Sequence, residues 1–343
     1  MSNSDFKTLV TGATGFIGSA VARALVQKGR KIRVLVRREK YLDNLQGIDY
    51  EIAKGDINDP ESLLNAMRGC NRVFHVAALY TMWTKNPAEV FKTNVDGTRN
   101  VLDAAFKSGV ERVVYTSSVA AIGHRPDGIP SDETVKWNLE WVKDPYVTSK
   151  FQAKQVAEDY AKKGLNVVIV CPSAPIGPGD IKPTPTGQMI VDFLNGKTPF
   201  YFDGGFDFVD VEDVAVGHLL AEEKGRVGET YILGGTNTFL KDMYQLLSKI
   251  SGVKAPAFCI PHGLDLFAAW TLETIANLVT NAPPLITLGG MRMVKLPPFH
   301  DHSKAAKELG YNPRPVEDTF KRAVDYFTQR GYWKKRKSRS VIP

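Results

Sequence analysis

The sequence predicts an α/β fold, a doubly wound parallel sheet joined to a smaller, mostly helical C-terminal unit. Three observations carry that expectation. Short apolar runs alternate with helical patterning over the first 170 residues, the signature of a parallel sheet with helices on both faces. The run Leu165 to Cys171 is almost continuously apolar, as expected of a strand covered on both sides. From Pro172 the texture changes to a Pro- and Gly-rich loop followed mainly by amphipathic helices.

The first element is organised around Leu9-Val10-Thr11-Gly12-Ala13-Thr14-Gly15-Phe16-Ile17-Gly18. An apolar run containing Phe6, Leu9 and Val10 turns sharply there into a helix over Ser19–Lys28 that stops at Gly29. Backbone N–H groups at the start of a helix carry roughly half a positive charge, which suits a pyrophosphate. Glycines let the chain turn tightly and approach the phosphates. The spacing is G-x-x-G-x-x-G, not the more familiar G-x-G-x-x-G. Its place between the first strand and first helix makes a bound dinucleotide the organising expectation.

A second strand, Lys31–Val36, ends in Arg37-Arg38. At the tip of this strand an acid bonds the 2′-hydroxyl of NAD, whereas a cation accommodates the 2′-phosphate of NADP. The cations favour NADP over NAD. A third strand, Asp49–Ala53, leads to Gly55-Asp56-Ile57, and Asp59-Pro60-Glu61 starts a helix with a cap, a proline and an acid in the first turn. The fourth strand, Arg72–Ala77, is followed by Ala78-Leu79-Tyr80-Thr81-Met82-Trp83, whose small residues let a cofactor lie against the backbone. Tyr80, Met82 and Trp83 either line a reaction pocket or pack the loop. A long helix spans Glu89–Ser108, and a fifth strand, Arg112–Tyr115, ends in Thr116-Ser117-Ser118.

Beyond a loop over Gly123–Asp132 and a segment with Trp137 and Trp141, Pro145-Tyr146-Val147-Thr148-Ser149-Lys150 opens a helix reaching about Lys163. Tyr146 and Lys150, four apart, share a face. An ammonium beside a phenol favours the phenolate, lowering a pKa of about 10 by about 1–3 units and making it a general acid/base near neutral pH. Ser118, at the end of a central strand, would hold a substrate oxygen beside that phenol. Helices are expected over 189–195, 240–251, 262–281, 303–309 and 316–327, and strands over 200–202 and 229–233. Asp213, opening the helix after Phe208-Val209-Asp210-Val211-Glu212, reads as a cap. The domains expected are a dinucleotide-binding unit over 1–172, to which 203–235 return, a substrate unit over 173–202 and 236–330, and a basic tail over 331–343.

Composition narrows the function classes. With 43% hydrophobic and 24% charged residues, the chain is an ordinary α/β protein. No apolar run is long enough to span a bilayer, and the polar N-terminus running straight into a strand leaves no room for a signal peptide. Cys70, Cys171 and Cys259 are far apart and odd in number, which fits reduced, cytoplasmic thiols. Most of the +7 net charge sits in Lys334, Lys335, Arg336, Lys337 and Arg339, so a nucleic-acid groove over the body is not expected. A basic tail is either solvated or drawn to an anionic membrane surface at the inner face. His300-Asp301-His302 lacks further ligands and reads as surface rather than metal site. The stripe Leu264, Phe267, Ala268, Leu272, Ile275, Leu278 and Val279 reads first as core packing, with a greasy lid or bilayer-facing surface as the alternative.

The glycine turn, the strand-end Ser118 and the Tyr146/Lys150 pair, in this order and spacing, resemble the extended short-chain dehydrogenase/reductase superfamily, with a Rossmann-type sheet. The resemblance covers about residues 5–330. It implies a catalytic set of Ser118, Tyr146 and Lys150, with Lys150 also gripping the nicotinamide ribose. It implies cofactor contacts from Gly12, Thr14, Gly15, Phe16, Ile17 and Gly18 to the pyrophosphate, and from Arg37 and Arg38 to the 2′-phosphate. Asp56 and Ile57 would meet the adenine, Ala77 and Ala78 the middle of the cofactor, and Pro172 and Ser173 the nicotinamide. Tyr80, Trp83 and Ile181 are the substrate-side candidates. Nucleotide-sugar dehydratases carry an Asp-Glu pair where this chain has Val119-Ala120, which argues against dehydration. Nucleotide-sugar epimerases usually place an arginine where this chain has Phe206, and a pocket without that cation is poorly made for a diphosphate.

What remains is similar to the dihydroflavonol-reductase-like branch, and most of all to the hopanoid-associated sugar epimerase family. The matching stretches are 113–120, 172–187 and 208–213. The resemblance implies an NADP(H)-dependent oxidoreductase acting on a carbinol or ketone carbon of a sugar or lipid-linked sugar. An epimerase with a transient keto intermediate and a non-catalytic NADP-binding sensor are the alternatives. A homodimer through helices flanking the sheet is a common assembly of this superfamily.

Overall fold

The computed structural model describes residues 7–38, 42–81, 83–261, 263–280, 284, 286–295 and 299–334. Met82 and the basic residues from 335 onward lie outside these.

The first half alternates as the hydrophobic pattern requires: β1 (Lys7–Thr11), α1 (Phe16–Gln27), β2 (Lys31–Val36), β3 (Glu51–Lys54), α2 (Pro60–Met67), β4 (Arg72–His75), α3 (Pro87–Phe91), α4 (Gly97–Lys107), β5 (Arg112–Thr116), α5 (Pro145–Lys162) and β6 (Val167–Pro172). The second half adds β7 (Ala174–Ile176), α6 (Pro185–Leu194), β8 (Phe200–Phe202), β9 (Gly205–Asp210), α7 (Val211–Lys224), β10 (Thr230–Leu233), β11 (Thr236–Phe239), α8 (Leu240–Ser251) and β12 (Phe258–Ile260). Four helices follow: α9 (Leu264–Ile275), α10 (Leu288–Lys295), α11 (Ser303–Leu309) and α12 (Val316–Gln329).

Seven strands form one sheet in the order β10-β6-β5-β4-β1-β2-β3, and every pairing in it is parallel. All six residues of β6 are buried, which accounts for its unbroken apolar run. One apolar layer gathers α2, α4 and α5 through Leu63, Leu102 and Val156. The opposite layer packs Val21 and Leu25 of α1 with Val214 and Leu219 of α7. Strand order reverses between β1 and β4, and at such a switch point the chain leaves the two strands in opposite directions and opens a crevice beyond their carboxyl ends.

Of residues 203–235, α7 and β10 rejoin the large sheet layer, whereas β9 pairs with β7 and β11 in a separate three-stranded sheet. That small sheet packs with α6, α8 and α12 around Phe193, Phe208, Leu247 and Phe320. The expected single helix over 89–108 is one helical rod whose middle turn, Lys92–Asp96, is widened to π geometry.

Two local expectations are corrected. Asp213 is not the cap of α7. Asp210 is, its side chain accepting from the N–H of Glu212, while Asp213 is bonded to the guanidinium of Arg314 at 2.7 Å. His300 is not a surface residue: it is buried, and bridges to Ser131 in a short strand contact.

Candidate active site

The glycine turn sits at the switch point. Gly12 adopts φ +73°, and a Cβ there would stand 2.6 Å from the backbone nitrogen of Ala77, so only glycine lets β1 and β4 release their chains side by side. A Cβ on Gly18 would meet the carbonyl of Gly12 at 2.0 Å, which explains the third glycine. Helix α1 starts after Gly15 with no side chain capping it, leaving its first N–H groups facing the crevice above Gly15. Thr14 is held from below, its carbonyl accepting from the Asn44 amide at 3.2 Å.

The other cofactor-side candidates surround this turn. Arg37 and Arg38 are exposed just past β2, with no ion pair or hydrogen bond to another described residue. Asp56 carries its own turn, accepting from the N–H of Asn58 at 2.9 Å, and Ile57 is buried against Gly97. Ala77 is fixed by donation from its N–H to the Thr11 hydroxyl at 3.2 Å, and Ala78 is exposed. Pro172 ends β6 beside Leu233, and the hydroxyl of Ser173 is buried next to Asp207. An uncapped helix start, a glycine-rich turn and guanidinium groups at the tip of β2 that no other described residue binds fit a dinucleotide. When bound, that cofactor supplies or takes a hydride at its nicotinamide.

The candidate proton-transfer residues lie on the other side of the crevice. Asp144 caps α5 by accepting from the N–H of Val147 at 3.1 Å, with Pro145 in the first turn. This places Tyr146 half-buried at the helix start, its ring 4.8 Å from that of Tyr80 and its phenol beside the Ser118 hydroxyl. Ser118 opens a short helical turn after β5, its hydroxyl accepting from the N–H of Ala120 at 3.2 Å. Lys150, buried one turn along α5, donates to the carbonyl of Thr116 at 2.9 Å and lies over the Tyr115 ring.

The electrostatics depart from the expectation of an acidified phenol. Burial pushes the Tyr146 hydroxyl up to about 12, with the nearby Ser118 hydroxyl pulling the other way. Burial also lowers Lys150 to about 8. The ammonium is committed to the Thr116 carbonyl, and desolvation of the phenolate outweighs it. At neutral pH the arrangement therefore holds a protonated phenol, a donor positioned for an oxygen seated between Ser118 and Tyr146.

Among the substrate-side candidates, Trp83 donates from its indole N–H to Asn277 at 3.1 Å, and Tyr80 stays 44% exposed over Tyr146. The carbonyl of Ile181 accepts from the Tyr332 hydroxyl, away from Tyr146's immediate partners. Phe206 packs edge-on to Phe208.

Three residues at this site were not assigned roles from the sequence. Asn94, buried on the π turn, accepts from the N–H of Leu79 at 2.7 Å and donates to its carbonyl at 3.1 Å and to the Ser149 hydroxyl at 3.0 Å. It ties the segment after β4 to α5, the helix that carries Tyr146 and Lys150. Trp137 stacks on Phe151 at 4.1 Å and donates to the carbonyl of Ala120, bracing the chain just after Ser118. Asp207, also buried, accepts from the N–H of Gly235 at 2.7 Å and is pushed up to about 7 by burial. A widened helix turn carrying a polar residue is a recognisable mark of such sites, but only once the helix is seen.

Residues 8–234 match the model of the NAD dependent epimerase/dehydratase family. The chain belongs to that family. This family member is also 42% identical, over 95% of either chain, to a Synechocystis protein named "Putative dihydroflavonol 4-reductase". It is 34% identical to sterol demethylase protein B of Methylococcus capsulatus, over 94% of this chain and 99% of that one. Among solved structures, the crystal structure of gox2253 superposes with a TM-score of 0.86 at 45% identity, covering 96% of this chain and 100% of the other. The family member is thus an extended short-chain dehydrogenase/reductase, an NAD(P)-dependent oxidoreductase or epimerase.

Proposed function

We propose that the enzyme is an NADP(H)-dependent reductase that moves a hydride between nicotinamide C4 and a carbinol or ketone carbon of a sugar or lipid-linked sugar in hopanoid, that is triterpenoid lipid, biosynthesis. The observation that carries this reading is the protonated Tyr146 phenol standing beside the Ser118 hydroxyl at the switch-point crevice. In the reductive direction Tyr146 gives its proton to the carbonyl oxygen that Ser118 orients, while the buried ammonium of Lys150 offsets the phenolate that forms. Support for NADP comes from Arg37 and Arg38, which pair with no other described residue, and from the absence of an acid at those two positions at the end of β2. Support for a substrate without a free diphosphate comes from Phe206 and from Val119 and Ala120 behind Ser118. The sterol-related relative supports an apolar, polycyclic partner for the reacting carbon. We further propose a cytoplasmic enzyme working at the inner face of the membrane, as a homodimer through helices flanking the sheet, with residues 173–202 and 236–330 forming the substrate side.

An epimerase is the second reading, favoured by the matched family's own description. It would oxidise a sugar carbon and reduce it from the other face, with no net loss of cofactor. A sensor without turnover is the third, and the intact Tyr146/Lys150 pair speaks against it. The test is incubation of the purified protein and NADPH with lipids that accumulate when its gene is deleted, followed by nicotinamide absorbance and mass spectrometry. Stoichiometric NADPH loss with a product carrying two more hydrogens is expected. Tyr146→Phe should lower turnover by about 10²–10⁴-fold with NADPH binding preserved. A product of unchanged mass without cofactor loss would establish the epimerase, and unchanged turnover in Tyr146→Phe would remove the phenol from the mechanism.

A further inference from the structure

Helix α9 and the turn continuing it, Ala276–Thr280, are packed inside out. Their small residues face the body: Ala269 and Ala276 are buried. Four of their large apolar residues face outward, with Phe267 66%, Trp270 54%, Ile275 42% and Leu278 79% exposed, while Leu266 packs inward. Residues 267, 270, 271, 274 and 278 recur at helical spacing, so this is one continuous face. The two threonines on it do not make it polar. The Thr271 hydroxyl donates back to the carbonyl of Phe267 at 2.9 Å and that of Thr274 to the carbonyl of Trp270 at 2.7 Å. Glu273, the one ionisable residue from 266 to 278, turns toward α10 and accepts from the N–H of Leu288. A surface of this kind, apolar at its centre and with its hydroxyls already bonded, needs a partner.

We propose that this face seats the enzyme on an anionic lipid bilayer, with the mouth of the active site at headgroup level. The proposal rests on the peripheral location proposed for the enzyme, and not on which reaction the site performs. Charge complementarity points to the bilayer. The basic run Lys334, Lys335, Arg336, Lys337 and Arg339 supplies most of the +7 net charge. It follows Trp333, which is buried in the same apolar cluster as Ala269 of α9, so the charge leaves the body from the unit that carries the apolar face. Basic residues close to a membrane surface are attracted to its anionic lipids, and aromatic rings suit the interface.

Area argues against a second copy on this face. Four side chains exposed to this degree offer on the order of 500 Å², against about 800 Å² per partner in a standard interface. The face is also continuous with the site. The Trp83 indole bonds Asn277 on the exposed turn. Helix α10 lies on the start of the catalytic helix: Arg292 donates to the carbonyl of Val142 at 3.0 Å, and Gly289 leaves no room for a side chain against Asp144. Lipid under α9 would therefore bring an amphiphile to Tyr146 without its apolar part crossing water.

Co-flotation of the full chain with vesicles tests this. Vesicles of phosphatidylcholine with phosphatidylglycerol should carry the protein, and vesicles of phosphatidylcholine alone should carry much less. Phe267→Glu combined with Trp270→Glu should lower the bound fraction at least tenfold while NADPH binding, read by nicotinamide fluorescence, stays unchanged. Should that variant lose NADPH binding as well, brominated lipids decide the matter with the conservative Trp270→Phe. They should quench the wild-type tryptophan emission and quench that variant's measurably less. Equal flotation of wild type and double variant, no flotation of wild type, or equal quenching would overturn the proposal. So would a lower sedimentation coefficient of the double variant without lipid, which would give the face to a second copy. A protein that floats but never oxidises NADPH would sink the reductase reading and leave this one standing.

Discussion

A phenol half-buried against a second ring keeps its proton, and at this site that is the resting condition of Tyr146, pushed up to about 12 by burial. Lys150, buried four residues on, is lowered to about 8 because its ammonium has left water for one carbonyl. The two shifts oppose the simple picture of an ammonium acidifying its neighbour, and they have one cause: desolvation penalises whichever form is charged. For Lys150 this has a consequence in the cofactor-free protein. Unfolded, the amine regains its ordinary value near 10.5, so between about pH 8 and 10.5 the unfolded chain binds more protons and stability rises with pH. Below about pH 8 the penalty is present in full. Lys150→Met should therefore be more stable than wild type by about 2–3 kcal/mol near neutral pH, less whatever the lost bond to Thr116 costs, with the gap closing toward pH 10. Urea unfolding without cofactor at the two pH values measures it, and a gap that does not change with pH would place the destabilisation elsewhere.

At the scale of elements, one widened turn connects the two halves of the site. Asn94 on the π turn between α3 and α4 holds Leu79 by both backbone groups and Ser149 by its hydroxyl, and Ser149 in turn donates to the carbonyl of Tyr146 at 2.8 Å. Asn94→Ala leaves the Leu79 groups unbonded and should cost about 2–4 kcal/mol in stability. It should also lower kcat by at least about tenfold, because the loop after β4 and the phenol lose their common support. Asn94→Asp keeps the acceptor for the Leu79 N–H and should recover part of the kcat, whereas a loss confined to stability would reduce Asn94 to a structural bond. None of this was legible in the sequence, because the two partner residues are 15 and 55 residues from Asn94 and no local pattern links them. What the sequence did show were the features set by neighbours along the chain. The Gly12 turn, the apolar β6 run and the Asp59 and Pro145 helix starts each depend on residues within one turn. Asp213 marks the limit of that reading, since Asp210 and Asp213 are one turn apart and only the fold decides which one caps α7.

Across the whole molecule, the candidate chemistry-bearing residues gather at the carboxyl ends of the strands, and a buried ion cluster lies at the opposite ends. The same limit applies to α9: its apolar stripe is equally compatible with core and with surface, and burial follows from which side the rest of the chain occupies. At the amino ends, Glu222 of α7 is buried and accepts from Arg30, which precedes β2, at 2.8 Å and from Arg72, the first residue of β4, at 3.0 Å. One carboxylate thus joins a helix to two strands on either side of the central strand β1. Two guanidinium groups sharing a buried carboxylate gain little over an apolar packing of the same volume, but removing the carboxylate alone takes from the buried Arg30 its bidentate partner, while Arg72 keeps Glu111. Glu222→Ala should therefore cost about 3–5 kcal/mol of unfolding free energy, read as a lower urea midpoint. The folded remainder should keep its affinity for NADPH, because Gly12, Arg37 and Lys150 all stand at the other ends of their strands or on the helix above them. Weaker cofactor binding in the same range as the stability loss would instead show that the two ends of the sheet are coupled through the strands.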